Sequence, residues 1–290
     1  MMNFSRLIKN CTIPSRWLLS NNIRYQSSSA AQNLIQVDIN EKTGVSVVSL
    51  NRKPVNSLSL ELFKDFCGVM DDLEREKVRG MVLKSSCDNV FSSGLDIGEL
   101  YPHPSEERFE AFWLFFQESW LKLYGSSFPT VAFINGHAPA GGCVFAISCE
   151  YRLMLPHYKI GLNEAPVGIV ATEWVMNSLR AVLPGKNAER LLTSGRLLDT
   201  QEAFNIGLID QIVNNEEEAM ARSEEFFATF DNVPKLARAL TKQNYRKNDL
   251  NQLVKNRSSD AKQFLNHILR PETQKIIGSY FKSLKDRKKD

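Results

Sequence analysis

The sequence predicts an α/β fold, and three observations carry that prediction. Short β-branched runs of strand length recur between Gly44 and about Val213. Amphipathic stretches at helical spacing separate them, which is the order of strand and helix units rather than of an all-β or all-α chain. Beyond about Thr200 the character changes to charged amphipathic helix. The predicted organisation is therefore an α/β core over residues 31–200 and a helical region over residues 201–290.

Taken in order, Val45–Leu50 reads as the first strand. Leu60–Leu73 follows as a helix, because Leu62, Phe63, Phe66, Val69, Met70 and Leu73 fall on one face and Ser59 can cap its start. Met81–Leu83, Thr130–Ile134 and Arg152–Leu155 are further strands, with helices around Arg108–Leu123 and Gly142–Ser148 between them. Asp199 or Thr200 can cap a short helix that Gly207 ends, and Pro234 and Pro271 stand where later helices begin, since proline is tolerated in a first turn.

The first 30 residues are excluded from this fold. Arg6, Lys9, Arg16 and Arg24 are spaced among Leu7, Ile8, Trp17, Leu18 and Leu19, a Ser-rich end follows, and no acid occurs before Asp38. That is the composition of a mitochondrial transit peptide cleaved after Arg24, and it implies the mitochondrial matrix. The net charge of +3 resides in this leader: without its four cations, 32 basic residues face 33 acidic ones. A near-neutral body removes the electrostatic basis for nucleic-acid binding.

No apolar run approaches the ~18 residues of a membrane span. The five cysteines are odd in number and scattered, without the paired spacing of a zinc site, and read as reduced thiols. His103, His157 and His267 do not cluster, and neither GxxxxGK[ST] nor HExxH is present. No metal is expected.

Three segments carry chemistry. Phe91-Ser92-Ser93-Gly94-Leu95-Asp96 is a small-residue turn after a strand, able to aim consecutive backbone N–H groups at a ligand. Asn135-Gly136-His137-Ala138-Pro139-Ala140-Gly141-Gly142-Cys143 leaves a strand and enters an apolar helix whose first N–H groups are unpaired at the positive end of the helix dipole. Gly161-Leu162-Asn163-Glu164-Ala165-Pro166-Val167-Gly168 surrounds one acid with small and apolar residues, an environment that raises a carboxyl pKa toward that of a general base. Each alone is as readily a turn, a packing contact or a surface acid.

Their order, with the flanking words Pro54–Phe63, Val90–Ile97, Ile134–Cys143, Cys149–Met154 and Ile160–Glu164, resembles the enoyl-CoA hydratase/isomerase (crotonase) superfamily over essentially all of residues 35–285. The resemblance is nearest to its isomerase members. It implies a spiral of ββα turns with a C-terminal helical trimerisation region, hence a homotrimer. It further implies a fatty acyl-CoA substrate, whose thioester carbonyl sits between the backbone N–H groups of Leu95 and Gly141. Ser93, Gly94, Asp96, Ile97 and Asn163 match positions that line the acyl-CoA. No separate cofactor is implied, because coenzyme A is part of the substrate.

The hydratases so resembled carry one acid three residues after the oxyanion glycine and a second at the place of Glu164. Here the first place holds Val144. One remaining acid suits a proton shuttle that moves a 3,4 double bond to the 2,3 position in β-oxidation of unsaturated fatty acids. Two other readings stay open: a hydratase or other crotonase-type enzyme with a second acid, for which Glu150 and Glu173 are sequence-near, and a noncatalytic acyl-CoA binder.

Several features are set aside. The aromatic stretch Phe109, Phe112, Trp113, Phe115, Phe116 and Trp120 reads mainly as core, with a share in an acyl tunnel. His137 lacks the Gly-x-Ser-x-Gly elbow of a hydrolase. Lys235, Arg238, Lys242, Arg246 and Lys247 recur along one helix and read as a solvated face, with CoA phosphates as the alternative partner. The stretch Tyr151–Ile160 looks slightly shorter than in the isomerases resembled, which bears on loop geometry.

Overall fold

Residues 33–286 are described in this computed structural model, and the leader predicted over residues 1–30 lies outside them. The chain enters by a hairpin, strand β1 (Ile35–Ile39) antiparallel to β2 (Val45–Leu50). Asn40 shapes the turn, its Oδ1 accepting from the N–H groups of Lys42 and Thr43. Strands β3 (Gly80–Ser85), β4 (Thr130–Ile134), β6 (Tyr151–Met154) and β9 (Gln211–Ile212) then add in parallel, giving the order β1-β2-β3-β4-β6-β9. A second small sheet places β7 (Lys159–Gly161) between β5 (Ala138–Pro139), parallel to it, and β8 (Leu198–Asp199), antiparallel. It supports the site.

Helix α1 (Leu60–Glu76) begins where Ser59 Oγ accepts from the N–H of Leu62, as the sequence predicts, and ends at Lys77 in a left-handed conformation. Its apolar face meets helix α2 (Glu106–Tyr124), where Phe63 stacks on Phe116 with ring centroids 4.9 Å apart. Burying a side chain of this kind contributes about 1.5–3 kcal/mol. Phe109, Phe112, Trp113, Phe116 and Trp120 are all buried, and Trp113 also stacks on Phe264 at 3.8 Å. The aromatic stretch is core except for Phe115, which is partly buried with Lys64 Nζ 5.5 Å from its ring centroid.

The remaining helices are α3 (Gly141–Ser148), α4 (Glu173–Val182), α5 (Gly185–Ser194), α6 (Thr200–Asn205), α7 (Glu216–Ala228), α8 (Lys235–Tyr245), α9 (Lys247–Ile268) and α10 (Pro271–Asp286). Asp199 caps α6 through a reciprocal box with Glu202, so the cap is the aspartate rather than Thr200. Residues beyond Thr200 are largely helical, and β9 returns from them to the main sheet. Phe227 of α7 packs there against Val82, Val131, Phe133 and Leu153.

The basic stretch expected along one helix is divided at Arg246, between α8 and α9, and only part of it is a solvated face. Lys235 and Lys247 are exposed, but Arg238 and Lys242 turn inward to ion-pair with Glu150, the latter at 2.8 Å. Lys242 Nζ also donates to Ser126 Oγ and to the Phe128 carbonyl. Arg246 donates to the carbonyls of Tyr124 and Ser148. A helical wheel cannot see the acid that turns a basic face inward, because Glu150 arrives from the bend between α3 and β6.

Candidate active site

The three segments singled out in the sequence converge. The N–H groups of Phe91 and Ser92 both donate to the His137 carbonyl, and the N–H of His137 donates to the Asn89 carbonyl, which joins the first segment to the second. The pairing of β5 with β7 joins the second to the third, and the N–H of Ala140 donates to the Gly161 carbonyl at 2.8 Å. His137 Nδ1 accepts from the N–H of Lys159, so this imidazole ties strands together instead of serving a nucleophile.

Two backbone donors face the junction. Leu95 forms a parallel bridge with Leu58, in which Leu58 N–H donates to the Gly94 carbonyl and Asp96 N–H donates to the Leu58 carbonyl. In a parallel ladder the intervening residue directs its own N–H away from that partner. Gly141 is the first residue of α3, one position earlier than predicted, and its N–H is an orphan of the helix start. A Cβ built on Gly141 would lie 3.4 Å from the Leu95 nitrogen, and one on Gly94 would lie 3.2 Å from the Gly141 nitrogen. The two donors are therefore immediate neighbours.

Close approach explains the glycines here. Gly94 has φ +88°, and a Cβ there would stand 2.9 Å from the Ala140 Cβ; on Gly142 it would stand 2.7 Å from the Ser92 carbonyl oxygen. Ala140, at φ 50° and ψ −122°, turns the chain from β5 into α3 in a conformation costly for a residue with a side chain. At the other end of the buried helix α3, Arg152 donates to the Cys149 carbonyl and Arg246 to that of Ser148. Cations there complement the helix dipole.

Glu164 leaves β7 at the start of a short 3-10 turn, Ala165–Val167. Although the residue as a whole is partly exposed, its Oε2 is sealed from solvent and has no hydrogen-bond partner among the described residues. Burial raises its pKa from 4.5 to about 7, against a smaller lowering by its own backbone N–H. Neighbouring Asn163 has a buried, unpartnered Oδ1. Cys143, on the first turn of α3, has its thiol pKa pushed up by burial and then by the Glu164 charge, which places the carboxylate beside the helix start. A carboxyl group whose pKa burial raises to about 7, beside two backbone N–H groups, can move a proton on carbon while the N–H groups bind the resulting oxyanion.

The other expected lining residues lie around this junction. Ser93 is exposed, with its N–H donating to the Val55 carbonyl; Asp96 caps the 3-10 turn Ile97–Glu99 through a 2.9 Å bond from the Gly98 N–H. Val144 is buried within α3. Glu150 is held below its usual pKa, burial being outweighed by Lys242 and Arg238, and Glu173 is an exposed first-turn acid of α4. Glu150 is thus engaged by the cations near α8. Sequence reasoning missed Asn56 and Arg52: Asn56 is buried at φ 47° and bonds Ser85 Oγ and the Phe91 carbonyl, while its Oδ1 accepts from the Arg52 N–H. An asparagine between two apolar runs was the only signal available.

Two backbone N–H groups beside one desolvated carboxyl group make a site suited to proton transfer next to a carbonyl. The family model described as enoyl-CoA hydratase/isomerase matches residues 40–288, and the chain belongs to that family. It is 36% identical over 261 residues to the mouse protein named enoyl-CoA delta isomerase 1, mitochondrial, covering 89% of this chain and 90% of the relative. The crystal structure of human mitochondrial delta3-delta2-enoyl-CoA isomerase superposes with a TM-score of 0.84 at 37% identity, covering 88% of this chain and 99% of that one. An enoyl-CoA hydratase from Bacillus halodurans superposes at 0.77 with 22% identity, covering 85% and 99%, so the crotonase fold is common to both activities.

Proposed function

We propose that this chain is a Δ3,Δ2-enoyl-CoA isomerase acting in the β-oxidation of unsaturated fatty acids, with Glu164 as its single base. The observation that carries the reading is the sealed, unpartnered Oε2 of Glu164 at a pKa of about 7, with apolar Val144 in place of a second acid. Its likeness to named isomerases over most of both chains supports it.

In the reaction, the thioester oxygen of a cis or trans 3-enoyl-CoA accepts hydrogen bonds from Leu95 and Gly141. Glu164 takes a proton from C2, the C2–H electrons form a dienolate, and negative charge gathers on the thioester oxygen. The same carboxyl returns the proton at C4 as the double bond settles between C2 and C3. No water is consumed and no cofactor beyond the substrate's own coenzyme A takes part. Losing one such N–H donor costs roughly two to three orders of magnitude in rate. Ser93, Gly94, Asp96, Ile97 and Asn163 line the acyl-CoA.

The acid-free leader and the mitochondrial relatives support a mitochondrial matrix protein with a transit peptide over residues 1–30. Family resemblance supports a homotrimer built through the helical C-terminal region. Among the described residues no helix is long and apolar enough to cross a membrane.

The test is a pair of assays on the purified chain: conversion of 3-hexenoyl-CoA to the 2-enoyl thioester, and hydration of crotonyl-CoA. Isomerisation without hydration, lost in Glu164→Gln, supports the proposal. Efficient hydration would establish a second acid instead, and tight acyl-CoA binding with neither activity would make the protein a binder.

A further inference from the structure

We infer that Arg52 is a positioning residue for this reaction: it neutralises and clamps Asp96, the residue that follows the oxyanion donor Leu95. The inference rests on the oxyanion reading of Leu95. Arg52 Nη2 lies 2.8 Å from Asp96 Oδ2. Its Nη1 donates to the Ser57 carbonyl at 2.9 Å and contacts Ser57 Oγ, while Ser57 Oγ lies 3.5 Å from the same Asp96 oxygen. Arg52 is itself anchored, since its N–H donates to Asn56 Oδ1 at 2.7 Å and Asn56 is buried. Asp96 Oδ1 holds the Gly98 N–H on the other side.

The geometry makes an electrostatic demand. The Leu95 N–H projects from a loop whose next side chain is a carboxylate, and that loop must stabilise negative charge developing on a thioester oxygen. An unneutralised Asp96 would oppose that charge through a medium less screening than bulk water. The guanidinium removes the opposition with a planar fork that also fixes the loop against the Leu58 ladder. As a partly exposed pair it contributes little to overall stability. Its effect belongs to the transition state, where the charge appears.

The experiment compares wild type, Arg52→Gln, Asp96→Asn and the double variant, with thermal midpoints recorded alongside. Two readouts are used: kcat and KM for 3-hexenoyl-CoA, and solvent-deuterium exchange at C2 of hexanoyl-CoA, which needs the base and the donors but no double bond. Arg52→Gln is expected to lower kcat and exchange by about tenfold, with KM moving less than about threefold. Adding Asp96→Asn is expected to recover most of the kcat and exchange lost in Arg52→Gln, because the uncompensated charge is then gone, while loss of the Asp96 contact with the acyl-CoA raises KM. Unchanged rates in Arg52→Gln would overturn the inference. So would a loss confined to KM, which would make Arg52 a contact for coenzyme A, or a loss that the double variant fails to recover. Exchange without isomerisation in the wild type would sink the isomerase reading and leave the clamp testable.

Discussion

The N–H of Ala140 donates to the Gly161 carbonyl across 2.8 Å, and this bond sets the spacing between the donor that follows Ala140 and the base that follows Gly161. Strands β5 and β7 run parallel on either side of it, in the register Ala138 to Ile160 and Pro139 to Gly161. Gly141 and Glu164 therefore emerge side by side, though 23 positions separate them in the chain.

Glu164→Gln removes the base and keeps the volume. Isomerisation is expected to fall by at least about 10²-fold to 10⁴-fold, the usual share of a positioned general base. Circular dichroism is expected to be unchanged, and a variant retaining wild-type kcat would remove Glu164 from the mechanism.

The same group governs pH dependence. Because only the carboxylate abstracts a proton, kcat/KM for 3-hexenoyl-CoA is expected to rise through an apparent pKa near 7 and level off above it. Stability moves oppositely. The folded pKa lies above the ordinary 4.5, so the stabilising effect of the retained proton is complete below about pH 4.5 and is lost as pH rises through about 7. That loss amounts to about 3 kcal/mol across the interval, at 1.36 kcal/mol per pKa unit. Urea denaturation at about pH 5 and about pH 8 is expected to show the fall in wild type and its absence in Glu164→Gln.

Gly142→Ala would place a methyl carbon 2.7 Å from the Ser92 carbonyl oxygen, which is backbone and cannot rotate aside. The first and second segments must then separate, and kcat is expected to fall by about 10² or more as donor alignment is lost. At Gly141 the first obstacle is Leu58 Cδ1 at 2.9 Å, the end of a flexible side chain, so Gly141→Ala is expected to retain more activity. Steady-state kinetics of the two variants settle the order.

Ala140→Gly relieves the φ 50°, ψ −122° conformation and the crowding beside Gly94. The melting temperature is expected to rise, by the equivalent of up to about 1 kcal/mol, since strain relief exceeds the added freedom of the unfolded chain. A lower melting temperature would show that neighbouring packing already accommodates the turn.

Glu150→Gln leaves Arg238 and Lys242 without their common anion at a buried site. A cost of about 3–5 kcal/mol is expected, typical of breaking a buried ion pair from one side. Measured at low temperature, the folded fraction should keep its kcat for isomerisation, because Glu150 faces α8 and not the base. A selective loss of kcat would reopen its role as a second acid.

The sequence by itself determined the elements that announce themselves through local periodicity. Helix α1 with its Ser59 cap, strands β2 and β4 and the apolar helix α3 are set by neighbours within a few residues, and the words around Gly94, Gly141 and Glu164 carried the family. Strand β1, the short strands β5, β7, β8 and β9 and helix α5 carry no such local signal, and of α4 only its start shows, in Glu173 after Thr172, because such short or mixed segments take their form from partners in the fold. The tertiary structure decided how closely Leu95 and Gly141, paired in the sequence only by resemblance, approach each other, and it alone decided that Glu164 Oε2 is sealed and that Glu150 turns Arg238 and Lys242 inward. Burial and charge pairing depend on distances between residues far apart in the chain, and those distances exist only once the sheets have formed.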